Sequence, residues 1–217
     1  MRPCLRIALV AALAMAAGCP NERPPVPPVD SGGGNGLVIT WESRPRVIPS
    51  EPSSDATIER VAFHQDDLRL VGDAGTIELA RDELEWARGI TPTALPVAGA
   101  VPGLYSRLLF ELDGDDDVGR EEYAYEITGT VKVNASFEPF TIRDTGDLTM
   151  TLDFSVMLAV GGDATIPVRV EIDKIVDVVD FSQVGKQDGR YLVENGSPQL
   201  SAVRTAVRAA FGVSDHQ

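Results

Sequence analysis

The run Asp113-Gly114-Asp115-Asp116-Asp117-Val118-Gly119, followed by Glu121 and Glu122, is the sharpest chemical feature of this sequence. Carboxylates at Asp113, Asp115 and Asp117 have the one-three-five spacing of a calcium loop, and calcium takes several hard oxygen ligands. An EF-hand would carry glycine at its sixth position and glutamate at its twelfth; Val118 and Ala124 stand there. The run falls between two expected strands, so it also reads as a solvated acidic turn that discourages edge pairing. Two readings therefore stand side by side: a calcium site on Asp113, Asp115 and Asp117, or a solubilising hairpin tip.

His64 with Asp66 and Asp67 could supply metal ligands or an acid–base pair. Zinc needs three or four ligands, and the only other histidine is His216, beside the C-terminus. A surface histidine at a strand end is the plainer reading. The sequence contains no G-x-S-x-G elbow, H-E-x-x-H, phosphate loop or dinucleotide fingerprint. No catalytic residue and no cofactor is assigned, and a hydrolase built on scattered carboxylates stays open only as a distant alternative. Trp41, Trp86, Tyr105, Tyr123, Tyr125 and Tyr191 raise glycan stacking. Trp41 shares its parity with Leu37 and Ile39, which predicts burial. Tyr123 and Tyr125 fall on one strand face after the acidic run; if that face is open, it offers a glycan or partner surface.

The N-terminus supplies an address. Arg2 and Arg6 precede an apolar run from Ile7 to Ala17, and small residues lead into Cys19. That layout predicts an export signal over 1–18, since the run is well short of the ~20 residues of a spanning helix. Ala16-Ala17-Gly18-Cys19 resembles the lipobox of bacterial lipoproteins, with Ala16 where leucine is commonest, and implies an acylated Cys19. Cleavage after Ala14-Met15-Ala16 is the rival. Residues 19–36 are rich in proline and then glycine, the composition of an extended stem followed by a flexible joint, and so predict a tether. The expected location is the envelope, anchored to the membrane through lipid on Cys19, at the outer membrane where the cell has one.

Composition sets further bounds. The chain has two cysteines, Cys4 and Cys19, so the body beyond the tether has no thiol for a disulfide or a metal site. It must hold together by its core, and about 180 residues suffice for that. A formal net charge of −14 argues against nucleic acid and against an anionic lipid surface.

Period-two alternation predicts the elements that would position these groups. Ile127 to Phe137 and Leu148 to Leu158 alternate cleanly, as do Val168–Ile172 and Leu37–Trp41. Strands are also expected at Ile58–Phe63, Asp67–Val71, Thr76–Leu79, Tyr105–Leu112 and Tyr191–Glu194. Turns are expected at Gly72–Gly75, Asp144–Gly146 and Gly161–Asp163. Arg81–Arg88 reads as a short helix, and Ile175–Phe181 as an extension of the preceding strand. A helix over 197–211 follows from Ser197 as N-cap, Pro198 at the first position, and Leu200, Val203 and Val207 at helical spacing. The fold expected is mainly β: one antiparallel β-sandwich over 37–217 with a C-terminal helix packed on it.

Ile58-Glu59-Arg60-Val61-Ala62-Phe63-His64, Val101-Pro102-Gly103-Leu104-Tyr105-Ser106-Arg107, and Pro139-Phe140-Thr141-Ile142 running on to Leu152-Asp153-Phe154 together carry a likeness. Over Leu37 to Val160 the chain resembles a family of secreted bacterial lipoprotein domains of unknown function. The resemblance implies a prealbumin-like, Greek-key sandwich without enzymatic activity, and transfers no site residues. The functional expectation is a lipid-anchored envelope protein with a non-enzymatic binding or structural role, its partner an envelope protein or polysaccharide. The alternative is a calcium-dependent adhesion or glycan-binding module using the Asp113–Asp117 loop.

Overall fold

Alternating apolar and polar residues become strands, and the computed structural model describes residues 36–46, 48–50, 55–80, 83–114 and 123–214. The signal, Cys19, the tether up to residue 35, Asp115, Asp117, Glu121, Glu122 and His216 lie outside the described residues. In chain order the elements are β1 (Gly36–Arg44), β2 (Ala56–Gly72), β3 (Gly75–Glu78), β4 (Glu83–Trp86), β5 (Leu95–Pro96), β6 (Gly103–Leu112) and β7 (Tyr125–Val133). They continue with β8 (Ser136–Asp144), β9 (Leu148–Leu158), β10 (Asp163–Glu171), α1 (Ile172–Asp177), β11 (Lys186–Gln187), β12 (Arg190–Val193), α2 (Leu200–Ala210) and β13 (Phe211–Val213). Strands dominate, as the alternation predicts.

Two sheets share the core. The smaller has the order β13-β10-β1-β5; the larger runs β11-β12-β8-β7-β2-β6-β9, with β3 and β4 also on β2. Leu37 and Ile39 from β1 and Ile166, Val168 and Val170 from β10 join Val61, Phe63, Leu70, Leu108, Leu112, Ile127 and Ile142 of the larger sheet in one buried cluster. Burying one face of each sheet supplies the main stabilisation, at roughly 25 cal/mol per Å² of apolar surface removed from water.

β2 organises the larger sheet. Sequence reading splits it into two strands, but it runs unbroken through 17 residues. Its first half pairs with β4 and β7, its second with β3 and β6. The register shifts between Asp66 and Arg69, where Asp67 takes φ 52°. A bulge of this kind bends a strand and lets it change partners.

Pairing is mostly antiparallel, with two exceptions. β1 lies parallel to β10 from Gly36↔Asp163 to Arg44↔Glu171, and β12 lies parallel to β8. Parallel neighbours need long crossovers, and most of the chain separates β1 from β10. Alternation reports which face is buried and is silent about strand direction.

Four local expectations are corrected. The alternation from Ile127 to Phe137 spans a hairpin, because Asn134 and Ala135 adopt positive φ between β7 and β8. Such a two-residue turn matches the twist of the strands it joins. The helix expected at Arg81–Arg88 is replaced over its described part by β4, which pairs with Val61–His64 of β2 and turns Leu84 and Trp86 inward. Four residues gain more from this pairing than from an isolated helical turn. Ile175–Phe181 does not prolong β10: Ile172, Ile175 and Val176 are buried on one face of α1, a helical spacing.

The C-terminal helix is shorter than its spacing predicts. It begins at Leu200, later than expected, because Ser197 closes a turn instead: its Oγ accepts from Glu194 N at 3.0 Å. The helix ends at Ala210, and Phe211–Val213 turns extended to pair with β10. α2 packs against α1, β9, β10 and β13, with Leu200, Val203, Ala206, Val207 and Ala210 buried.

Candidate functional site

The fork in the larger sheet sets the acidic group in place. His64 lies in the middle of β2, not at a strand end, and its backbone binds both departing strands. Its N–H donates to Ala124 O at 3.0 Å, and its carbonyl accepts from Asp113 N at 3.3 Å. The residue after β6 and the residue before β7 therefore meet the same residue of β2. Asp66 and Glu111 face each other in register across β2 and β6, an unfavourable like-charge pair. Asp113 follows on the same side and hydrogen-bonds to Asp147.

Burial first, then the hydrogen bond and charge of Asp147 and the charges of Glu111 and Asp66, push the Asp113 carboxyl up to about 6. A hydrogen bond between two carboxyls requires a proton, so the fold favours the neutral form of Asp113. Asp113 is thus the one expected calcium ligand that can be described. Its neighbours Asp147 and Glu111 are not marked by any loop spacing, since they come from β9's approach and β6. Among the described residues, no three His, Cys, Asp or Glu side chains converge to hold a metal ion.

His64 is directed to β4 rather than to Asp66 or Asp67: its Nε2 lies 3.9 Å from Glu83 Oε1. The same face carries Arg60, whose Nε donates to Glu85 at 2.6 Å and Nη1 to Glu126 at 2.7 Å. The corrected strand β4 produces this cluster, because period two aims Glu83 and Glu85 at the same side of the sheet.

The open aromatic face does not form. Tyr125 is fully buried, its hydroxyl donating to Asp144 Oδ2 at 3.2 Å. Tyr123 is half-buried with the Arg143 guanidinium over its ring, 4.7 Å from the centroid. Trp41 is inward, as its parity predicts, and meets Trp86 at a cleft of about 350 Å³ lined also by Glu42, Ser43, Arg46 and Thr91. The two indoles are 7% and 2% exposed, so neither offers a ring face for sugar stacking.

A bidentate ion pair ties the helix to the sheet. Asp144, at the end of β8, is buried; it accepts from Arg204 Nε and Nη2, from Gly146 N and from Tyr125. Burial pushes its carboxyl up, but the Arg204 fork and the Gly146 N–H outweigh that and hold it below the usual aspartate range. A Cβ at Gly146 would stand 2.4 Å from Arg204 Nη2, so glycine there makes room for the guanidinium. The sequence predicts both the 144–146 turn and the C-terminal helix, but nothing in it joins the two.

These features define a two-sheet β protein with a helix locked to one sheet by an ion pair on a buried aspartate, and with carboxylates gathered where β2 changes partners. No family model matches the chain, and neither a curated protein nor a solved structure matches it.

Proposed function

We propose that this chain is a lipid-anchored cell-envelope protein whose β body has a non-enzymatic binding or structural role. The observation that carries the reading is the join at Gly36. The first residue of β1 directly follows a Pro/Gly-rich stretch of 17 residues counted from Cys19. An acylated cysteine, a tether and a body held by its own core form a coherent envelope protein. Several acyl chains, each burying CH₂ groups at about 0.8 kcal/mol, give lasting attachment. Mass spectrometry of the mature protein tests it: the expected product starts at an acylated Cys19, and an unmodified cysteine or a start at Ala17 overturns it. A pull-down from envelope fractions with the full mature chain addresses the partner, an envelope protein or polysaccharide.

A second reading, a calcium-dependent adhesion module, draws support from the carboxyls gathered around Asp113. A divalent cation would replace the Asp113 proton and relieve the repulsion that Asp147, Glu111 and Asp66 exert on its carboxylate. Calorimetry at millimolar calcium decides it: heat and a raised melting temperature support the reading, and their absence removes it.

A further inference from the structure

The end of the body where the tether enters is built from uncharged loops. Gly36 pairs with Asp163, so the tether meets the body beside the β9–β10 turn. Gly103 and Leu104 pair with Leu158 and Met157, bringing the segment before β6 to the same end. Residues 97–104 (VAGAVPGL) and 157–162 (MLAVGG) contain no charged side chain, in a chain where 24% of residues are charged. Val97 and Leu158 point into the core, but three large apolar side chains face solvent: Val101 is 45% exposed, Met157 64% and Val160 88%.

The loops are held from within. The Tyr105 hydroxyl donates to Val101 O at 2.9 Å and accepts from Val101 N at 3.0 Å, while its ring is buried. Val97 N donates to Leu37 O at 2.9 Å, fixing the segment to the strand that the tether feeds. Gly162 N donates to Ala159 O, closing the turn that carries Val160. Val101, Met157 and Val160 are thus presented outward on anchored backbone, where a soluble protein would ordinarily place charge.

We propose that this end docks on a zwitterionic phospholipid surface, the one in which the acyl chains of Cys19 sit; the inference rests on the lipid anchor argued above. Two observations select that occupant. The stretch that would carry the acyl group joins the described body at Gly36, on this end. Among the described residues, the charged side chains joined to these loops by a hydrogen bond or strand register are the carboxylates Asp73 and Asp163, which disfavour an anionic surface and spare a neutral one. The tether, extended, reaches about 50 Å at ~3.1 Å per residue, so it permits contact without enforcing it, and the loops must supply the attraction.

The test uses the full acylated chain in phosphatidylcholine vesicles. Acylation consumes the Cys19 sulfur and no other cysteine follows, so one introduced thiol accepts a polarity-sensitive fluorophore. Val160→Cys reports on the loops and Asp173→Cys on the opposite end; both sites are exposed, so folding is not at risk. The label at 160 is expected to be quenched by iodide about fivefold less than the label at 173, as for side chains seated in the headgroup boundary. Equal quenching in protein that floats with the vesicles overturns the docking and leaves the anchor standing; protein that does not float overturns both. Protection at 160 without vesicles, with the mass of a dimer, assigns the loops to a second copy and overturns the lipid. Stronger protection when half the lipid is phosphatidylglycerol overturns the zwitterionic assignment.

Discussion

Arg204 on α2 grips both carboxylate oxygens of Asp144 on β8, Nε to Oδ2 and Nη2 to Oδ1, each at 2.7 Å. The Asp144 side chain is wholly buried while that of Arg204 is 37% exposed, so the two partners are not equivalent. Removing the arginine strands a buried carboxylate; removing the aspartate leaves a guanidinium that can reach water. Arg204→Ala is expected to destabilise the protein by about 3 kcal/mol, and Asp144→Asn by about 1–2 kcal/mol, in urea unfolding.

The same pair makes stability depend on acid. The Asp144 carboxyl is held below its ordinary value in the folded protein. Its contribution is therefore complete above the unfolded aspartate pKa of about 4 and is lost as pH falls through the lower folded value. The stability gap between wild type and Asp144→Asn is expected to be constant from pH 8 to 5 and to close below about pH 4. A gap that persists in strong acid would contradict the ion pair.

Asp113 behaves in the opposite sense. Its carboxyl, at about 6, binds its proton more tightly folded than unfolded. That stability is present below the unfolded value and lost as pH rises through about 6. Asp113→Asn, which mimics the protonated form, is expected to leave the melting temperature unchanged at pH 4 and raise it at pH 7.5. Carboxyl carbon NMR should show Asp113 titrating at about 6, and an ordinary aspartate titration there would refute the raised value.

Gly129 lies in the apolar row of β7 for a reason that its neighbours supply. A Cβ there would stand 2.0 Å from the Thr57 carbonyl and 2.9 Å from the Phe140 ring. The carbonyl is backbone in the adjacent strand and cannot move aside without breaking the ladder. Gly129→Ala is expected to destabilise the protein by about 3 kcal/mol or more, the upper end for overpacking, as read by denaturant midpoint. Gly185→Ala, with nothing within 4 Å, is the control and is expected to be nearly neutral.

Phe211 is the hinge between α2 and β13. Its ring sits edge-on to Phe63, 5.0 Å between centroids, and 5.5 Å from Phe110. Phe211→Ala is expected to cost about 3–5 kcal/mol, and Phe211→Leu clearly less, because the aliphatic side chain refills part of the space. Near-equal losses would place this ring outside the core.

Much of this was legible along the chain, for a specific reason. Which side of Leu37–Trp41, Val168–Val170 or Leu148–Leu152 faces the core follows from period two, and the burial of Trp41 follows with it. The acidic run is equally plain, but its chemistry is not. The carboxyls that shift Asp113 come from β2, from β6 and from the approach to β9, and no spacing brings those together. β4 is not legible in this way, because a short segment with two glutamates suits either state and only pairing with β2 decides it.

The amino-acid sequence by itself determined a thiol-free, acidic, strand-rich body, since composition and alternation act residue by residue. Only the tertiary structure decided that β1 and β10 run parallel, that β2 serves two sets of partners, and that Asp144 meets Arg204 sixty residues away. Direction, partner exchange and long-range ion pairing depend on where distant segments are brought in space. Local periodicity, which senses only the nearer face of each strand, holds no record of them.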